Sequence, residues 1–290
     1  MVKAMSLLEI FKREARDSKV RIGIGLGTEG KHNLKIYRTA LSFLEESKSK
    51  ILLFGAKPQV SQIQDALKTS EINENVLFVE TKNPYIEILK FLVENKIDSI
   101  IRGCISSSEF LPQVKLSFNK NELHRLALLE TSKGFQFFYG PVGIDECNTY
   151  EDKVEFIKKA ESIITSLKLK PKISVLSGGR ISDIGRNPQV DKSIREAEKI
   201  ISFFKNKQPS MDIIHDKVLI ENSIRNRSNL IIAPDGISGN LIYRTLVHLG
   251  GGRAYGAIYM GIKKPIIDTS RVGGPSEIYG GLLIASTLSS

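Results

Sequence analysis

"PIIDTSRVGGPSE", residues 265–277, sets the reading of this chain. An aliphatic pair, Ile266-Ile267, runs into Asp268, and a hydroxyl and a guanidinium follow side by side at Ser270 and Arg271. Gly273, Gly274 and Pro275 then turn the chain, and a carboxylate, Glu277, closes the stretch. A short aliphatic run bounded by turn residues has the pattern of a buried strand. Polar side chains just beyond such a strand occupy the place where open α/β sheets bind ligands. From Ile266 onward the sequence holds one strand and one helix, too little to bury its own apolar faces. The strand at 265–268 is therefore expected to pair with strands of the N-terminal half.

Working outward, short aliphatic or β-branched runs alternate with longer amphipathic ones. Strands are predicted at 20–27, 50–55, 76–80, 98–103, 135–140, 173–178, 230–234 and 265–268. Between them, Val190, Ile194, Ala197, Ile200, Ile201 and Phe204 keep the three-to-four spacing of one helix face, with Asn187 placed as its cap and Pro188 at its first position. Residues 150–167 repeat the pattern behind Thr149, with Asp152 three residues on. Such alternation predicts an α/β fold with a mainly parallel sheet. The Gly-, Pro- and Asp-rich stretch 140–152 suits a junction between two lobes, the first comprising residues 1–138 plus 258–290 and the second 139–257.

At 290 residues the chain is long for one core and sufficient for two. No apolar run approaches the roughly 20 residues of a membrane span, and the N-terminus lacks an apolar signal core; a cytoplasmic protein without membrane contact is expected. Two cysteines and four scattered histidines form no zinc-ligand spacing, so no metal site is expected. The net charge is +10, yet no aromatic ladder interleaves the basic residues as in RNA-binding sheets. Instead Arg244, Arg253, Lys263, Lys264 and Arg271 face a single acid, Asp268, over 244–271, in a glycine-rich context. A phosphate-bearing small molecule fits that better than a nucleic acid.

Three glycine turns follow predicted strands. "GIGLGTEG" (23–30) contains G-x-G-x-x-G, but a dinucleotide site would want an acid closing the next strand, and that strand ends Gly55-Ala56-Lys57. The turn reads as close strand-to-loop packing. "PDGISGN" (234–240) opens a helix near Gly239, either as an anion-binding terminus or as a tight loop capped by Ser238. "LSGGR" (176–180) offers a backbone that a phosphate can approach and Arg180 to pair with it.

These stretches, in this order, resemble the phosphate acetyltransferases and phosphate butyryltransferases. "GGRAYGAIYMGIKKPIIDTSRVGGPSEI" (251–278) is similar to their C-terminal segment. Pro234, Asp235, Gly239 and Asn240 match their Pro-Asp-Leu-Asn-Ala-Gly-Asn loop, and "VLSGGR" with "NPQVDKSIREAEKI" (187–200) matches a strand end and the helix after it. The likeness spans about residues 85–290 and implies two lobes around a cleft, the fold shared with isocitrate dehydrogenases. The particular divergence, with the long "RIGIGLGTEGKHN" near the N-terminus, resembles the MtxX branch, also called methanogenesis marker protein 4. Its members come from methanogenic archaea and are catalogued as candidate methyltransferase subunits.

In the acyltransferases the serine and arginine bind substrate phosphate and thiol, and an acid seven residues after the serine deprotonates the coenzyme A thiol. The resemblance thus implies catalytic roles for Glu277 and Ser270, with Arg271, Asn240, Ser177, Arg180, Arg102 and Ser106 binding substrate. It implies a phosphorylated or thiol-bearing ligand, a homodimer and an association with other methanogenesis proteins. Departures stand beside the matches. Glu277 replaces an aspartate, Gly179-Arg180 replaces a Ser-Thr pair, and Leu111 stands near the place of an expected arginine. Three readings follow: a group-transfer enzyme whose family label is methyl transfer, a true phosphate acyltransferase, and a non-catalytic protein that keeps the fold to bind a ligand or partner. No S-adenosylmethionine or corrinoid motif supports methyl transfer independently, and the sequence names no cofactor.

Overall fold

The computed structural model describes residues 6–68, 71–270 and 273–289. Its first half alternates helix and strand: α1 (Leu7–Ala15), β1 (Arg21–Gly25), α2 (Gly30–Leu44), β2 (Lys50–Gly55), α3 (Lys57–Ala66), β3 (Val76–Glu80), α4 (Pro84–Val93), β4 (Ser99–Ile101) and α5 (Ser107–Ser117). A hairpin follows, β5 (Arg125–Glu130) and β6 (Gln136–Gly140), and then α6 (Tyr150–Ser166), β7 (Lys172–Leu176), α7 (Pro188–Lys207) and β8 (Asp212–Lys217). The remainder is α8 (Ile220–Arg225), β9 (Leu230–Ile232), α9 (Gly236–His248), β10 (Arg253–Tyr259), β11 (Ile266–Asp268) and α10 (Pro275–Ser289).

Contacts divide the chain into two compact units, residues 1–123 with 254–290, and residues 124–253. In the first, the strand order is β3-β2-β1-β4-β11-β10. Neighbours run parallel except β10, which is antiparallel to β11. The chain moves from β1 outward to β2 and β3, then returns to lay β4 on the other side of β1. The order therefore reverses between β1 and β4. β11 joins β4 with Ile266 opposite Ile100 and Ile267 opposite Ile101, so the tail strand pairs with the N-terminal half. α10 is buried from Glu277 through Ser286 apart from Tyr279, and it packs against α1, α2 and β4. That is why its sequence is apolar nearly all round.

The second unit has the strand order β5-β6-β9-β7-β8, with β5 and β6 antiparallel and the rest parallel. Thr149 and Asp152 form the reciprocal cap of α6, and Asn187 Oδ1 accepts from the N–H groups of Gln189 and Val190 at the start of α7. The first division falls at 123–124 where the sequence suggested 138–139, because β5 pairs with β6 and goes with it. The second falls at 253–254 rather than 257–258. α9 begins three residues earlier than expected, since Asp235 and not Ser238 is its cap: Asp235 Oδ1 accepts the Ser238 N–H at 2.8 Å.

Candidate functional site

In the first unit, the loop after β11 carries the residues that opened the sequence reading. Glu277 lies in the first turn of α10, is buried, and accepts the Ser270 N–H on Oε1 at 2.8 Å. The Gly273 N–H donates to the Ser270 carbonyl at 3.0 Å. A side chain at Gly273 would collide with Glu277 Oε2, so the glycine leaves that oxygen room. Ser270 is half-buried. Arg271 lies outside the described residues. Hydroxyl and carboxylate are therefore brought to one loop, with one carboxylate oxygen spent on holding that loop.

Arg102 directly follows the neighbouring strand β4, and its guanidinium is buried and committed. Nε pairs with Asp268, Nη1 donates to the Ile105 carbonyl at 2.5 Å, and Nη2 donates to the Thr269 carbonyl. An incoming phosphate would have to displace Asp268. The arginine ties the end of β4 to the end of β11 and so sets where the Ser270 loop begins. Ser106 is the N-cap residue of α5, with Oγ 2.8 Å from the Ser108 hydroxyl.

Two residues the sequence did not single out also hold this loop. Lys35, on α2, reaches across to donate from Nζ to the Gly273 carbonyl at 3.0 Å. Its ammonium also lies 3.2 Å from His32 Nδ1, and His32 Nε2 is 3.0 Å from Glu29. The segment "GTEGKHNLK" (27–35) thus gains a role as the support of the Ser270–Glu277 loop. In the sequence it stood out only as a glycine turn after a strand and as part of the stretch that resembles the MtxX branch, with nothing to link it to Gly273.

In the second unit, the sequence-derived residues again sit at strand carboxyl ends. Asn240 donates from Nδ2 to the Val142 carbonyl at 2.8 Å, which pins α9 to the loop after β6. Ser177, just past β7, is buried; its hydroxyl donates to the Gly179 carbonyl at 2.9 Å and lies 2.9 Å from His215 Nε2. Arg180 is exposed, and its backbone N–H donates to Asp183. His215, on β8, was not among the expected site residues. Burial, with the Lys217 ammonium second, holds its imidazolium pKa below the ordinary histidine value, against opposing pulls from Glu198 and Asp216. The folded chain resists a proton that the unfolded chain accepts near about 6.5. Stability from the neutral ring is complete above that pH and falls as the pH drops through the window below it. Denaturation midpoints measured at pH 7.5 and 5.5 should therefore converge in His215→Gln relative to the parent chain; an unchanged difference would show that His215 does not titrate on folding.

Among the described residues, no group of three or more His, Cys, Asp or Glu side chains gathers as a metal site. No helix among the described residues is long and apolar enough to cross a membrane. Cys104 is half-buried and Cys147 buried, both as thiols.

Against known proteins, the family model described as phosphate acetyl/butaryl transferase matches residues 89–286. A Methanosarcina barkeri protein named as a candidate methyltransferase, mtx subunit X, is 36% identical over 275 residues, covering 95% of this chain and 95% of its own length. A Methanocaldococcus jannaschii protein named as an uncharacterized methyltransferase is 35% identical over 234 residues, 78% of this chain and 91% of its own. Among solved structures, a phosphotransacetylase from Streptococcus pyogenes superposes with a TM-score of 0.72 at 15% identity, over 98% of this chain and 99% of that one. That last likeness speaks for the fold alone.

Proposed function

Because the chain belongs to the phosphate acetyl/butaryl transferase family, in its MtxX branch, we propose that it works in group transfer on a phosphorylated or thiol-bearing small molecule. The observation that carries this reading is the Glu277 carboxylate, buried at the mouth of α10 and fixed against the Ser270 backbone. Glu277 would act as the base, Arg271 as the anion clamp, and the Ser270 hydroxyl as a partner for the reacting group. Methyl transfer stays the family's label, since no residue here speaks for it independently. The protein would operate in the cytoplasm of a methanogen, beside other methanogenesis proteins.

A thermal-shift titration with phosphate, acetyl phosphate, coenzyme A and coenzyme M tests the ligand class. One of them should raise the melting temperature, and Arg271→Ala should remove most of that shift. A chain indifferent to all four at millimolar concentration would overturn the reading. A non-catalytic ligand-binding protein is the second reading, favoured by the commitment of Arg102 to Asp268 and of Asn240 to Val142.

The homodimer implied by the resemblance is also proposed. α9 buries only Gly236 and Gly239, leaving Ile237, Leu241 and Leu249 61–84% exposed beside an apolar hollow of about 550 Å³. Exposed apolar surface of this kind marks an interface, and a second copy would cover it. Sedimentation velocity should show a dimer that Leu241→Glu dissociates; a parent chain that sediments as a monomer would exclude it.

A further inference from the structure

The loops after β1, β2, β3 and β4 enclose a cavity of about 460 Å³ in the first unit. It lies where the strand order reverses, the position at which open parallel sheets bind ligands. Its polar lining is Thr28, Gln59, Lys82, Tyr85, Ser106 and Glu109. Of these only Ser106 was named from the resemblance; Ser270 and Glu277 do not line it.

Three features mark the cavity as built for a ligand. The first is its donors. α3, α4 and α5 all begin here, at Ala56, Asn83 and Ser106, and none is capped by a side chain, whereas α1, α6, α7 and α9 are capped by Ser6, Thr149, Asn187 and Asp235. Ala56, Tyr85 and Ser106 of these helix starts line the cavity, and the Tyr85 N–H meets no acceptor among the described residues. Lys82 adds an exposed ammonium with no carboxylate in ion-pair range among the described residues. The second is an orphaned acceptor: Gln59 Oε1 is shut off from solvent without a hydrogen-bond partner, and Gln59 lines the cavity. A buried amide oxygen left unpaired costs stability until something donates to it. The third is rigidity. Asn33, fully buried on α2, pins Gly27 at the rim twice, accepting its N–H at 3.0 Å and donating to its carbonyl at 2.7 Å. On the other side a side chain at Gly27 would meet the Cys104 carbonyl at 2.6 Å, so the rim is packed as well as hydrogen-bonded.

We propose that this cavity binds the phosphomonoester of a small polar molecule. The helix termini and Lys82 would hold the phosphate, and Gln59, Tyr85 and Glu109 would read hydroxyl or amino groups on the body it is attached to. Because Glu109 offsets the Lys82 charge within the lining, a bare anion gains little from the site, and recognition depends on the donors of the attached body. β2 ends at Gly55 with no acid after it to take the ribose hydroxyls of an NAD-type dinucleotide. The inference stands independently of the group-transfer reading, which rests on the loop after β11.

Calorimetric titration of the full chain with AMP, ribose 5-phosphate, inorganic phosphate and adenosine tests it. One of the two phosphomonoesters should bind, at least tenfold tighter than phosphate or adenosine. Lys82→Glu and Gln59→Ala should each weaken it about tenfold, the loss of one charge-assisted or buried hydrogen bond, with far-UV circular dichroism unchanged. Glu277→Gln should leave it intact, separating this site from the one after β11. Absence of phosphomonoester binding, equal binding of inorganic phosphate, or binding lost in Glu277→Gln but kept in Lys82→Glu would each overturn the proposal.

Discussion

Replacing Arg102 by Met is expected to destabilise the chain by about 3–5 kcal/mol, the usual result of removing one member of a buried ion pair. The substitution removes the guanidinium paired with Asp268, itself only 8% exposed, and takes the Arg102 donors from the Ile105 and Thr269 carbonyls. Chemical denaturation followed by circular dichroism should show the loss as a lower midpoint. The double variant Arg102→Met with Asp268→Leu should recover most of it, because two apolar side chains of similar volume replace a buried pair at little or no net cost. A single variant within about 1 kcal/mol of the parent would mean that the guanidinium is held loosely, as an exposed pair would be. It would then be available to a ligand, as the sequence reading supposed. The experiment thus separates a positioning arginine from a binding one without any knowledge of the substrate.

The same pair shows what the sequence could and could not disclose. β2 and β3 form over the predicted residues, since each is a short aliphatic run bounded by turn or charged residues. β5, "RLALLE", was not predicted because Leu, Ala, Arg and Glu favour helices; its antiparallel pairing with β6 overrides that preference. β8, "DIIHDK", lies at the edge beside β7 among the described strands and buries just part of its length, so its apolar signal is thin. β10 carries Gly256 at φ 96°, a conformation that interrupts the β-branched pattern a strand is recognised by. At the site, the residue types stood out in the sequence but their commitments did not. Arg102 and Asp268 lie 166 positions apart, and Lys35 lies 238 from Gly273. Only the pairing of β4 with β11, and the packing of α10 against α2, bring them together.

Acetyl transfer between acetyl phosphate and coenzyme A is expected to run near the uncatalysed background. Three departures, at four positions, separate this chain from an active phosphate acyltransferase of the kind it resembles. Leu111, where an arginine is expected, packs against the core of the first unit and offers an anion nothing. Gly179 and Arg180 take the place of two hydroxyls. Glu277 replaces an aspartate, adding about 1.5 Å of reach, and one of its oxygens is occupied by the Ser270 N–H. A misplaced reacting group or a missing transition-state donor costs on the order of a hundredfold in rate. Together the three changes leave little of such a reaction. The direct assay follows loss of the coenzyme A thiol as acetyl-coenzyme A and inorganic phosphate form from acetyl phosphate, with Glu277→Gln and Glu277→Asp alongside the parent chain. Robust turnover, lost in Glu277→Gln and restored in Glu277→Asp, would show that Glu277 works as the base of acyl transfer in spite of the altered surroundings. Background rates in all three would place the protein's work on another acceptor. Thermal shifts that respond to Glu277→Gln would then tie ligand binding to the loop after β11, because acyl chemistry would no longer account for keeping a buried carboxylate there.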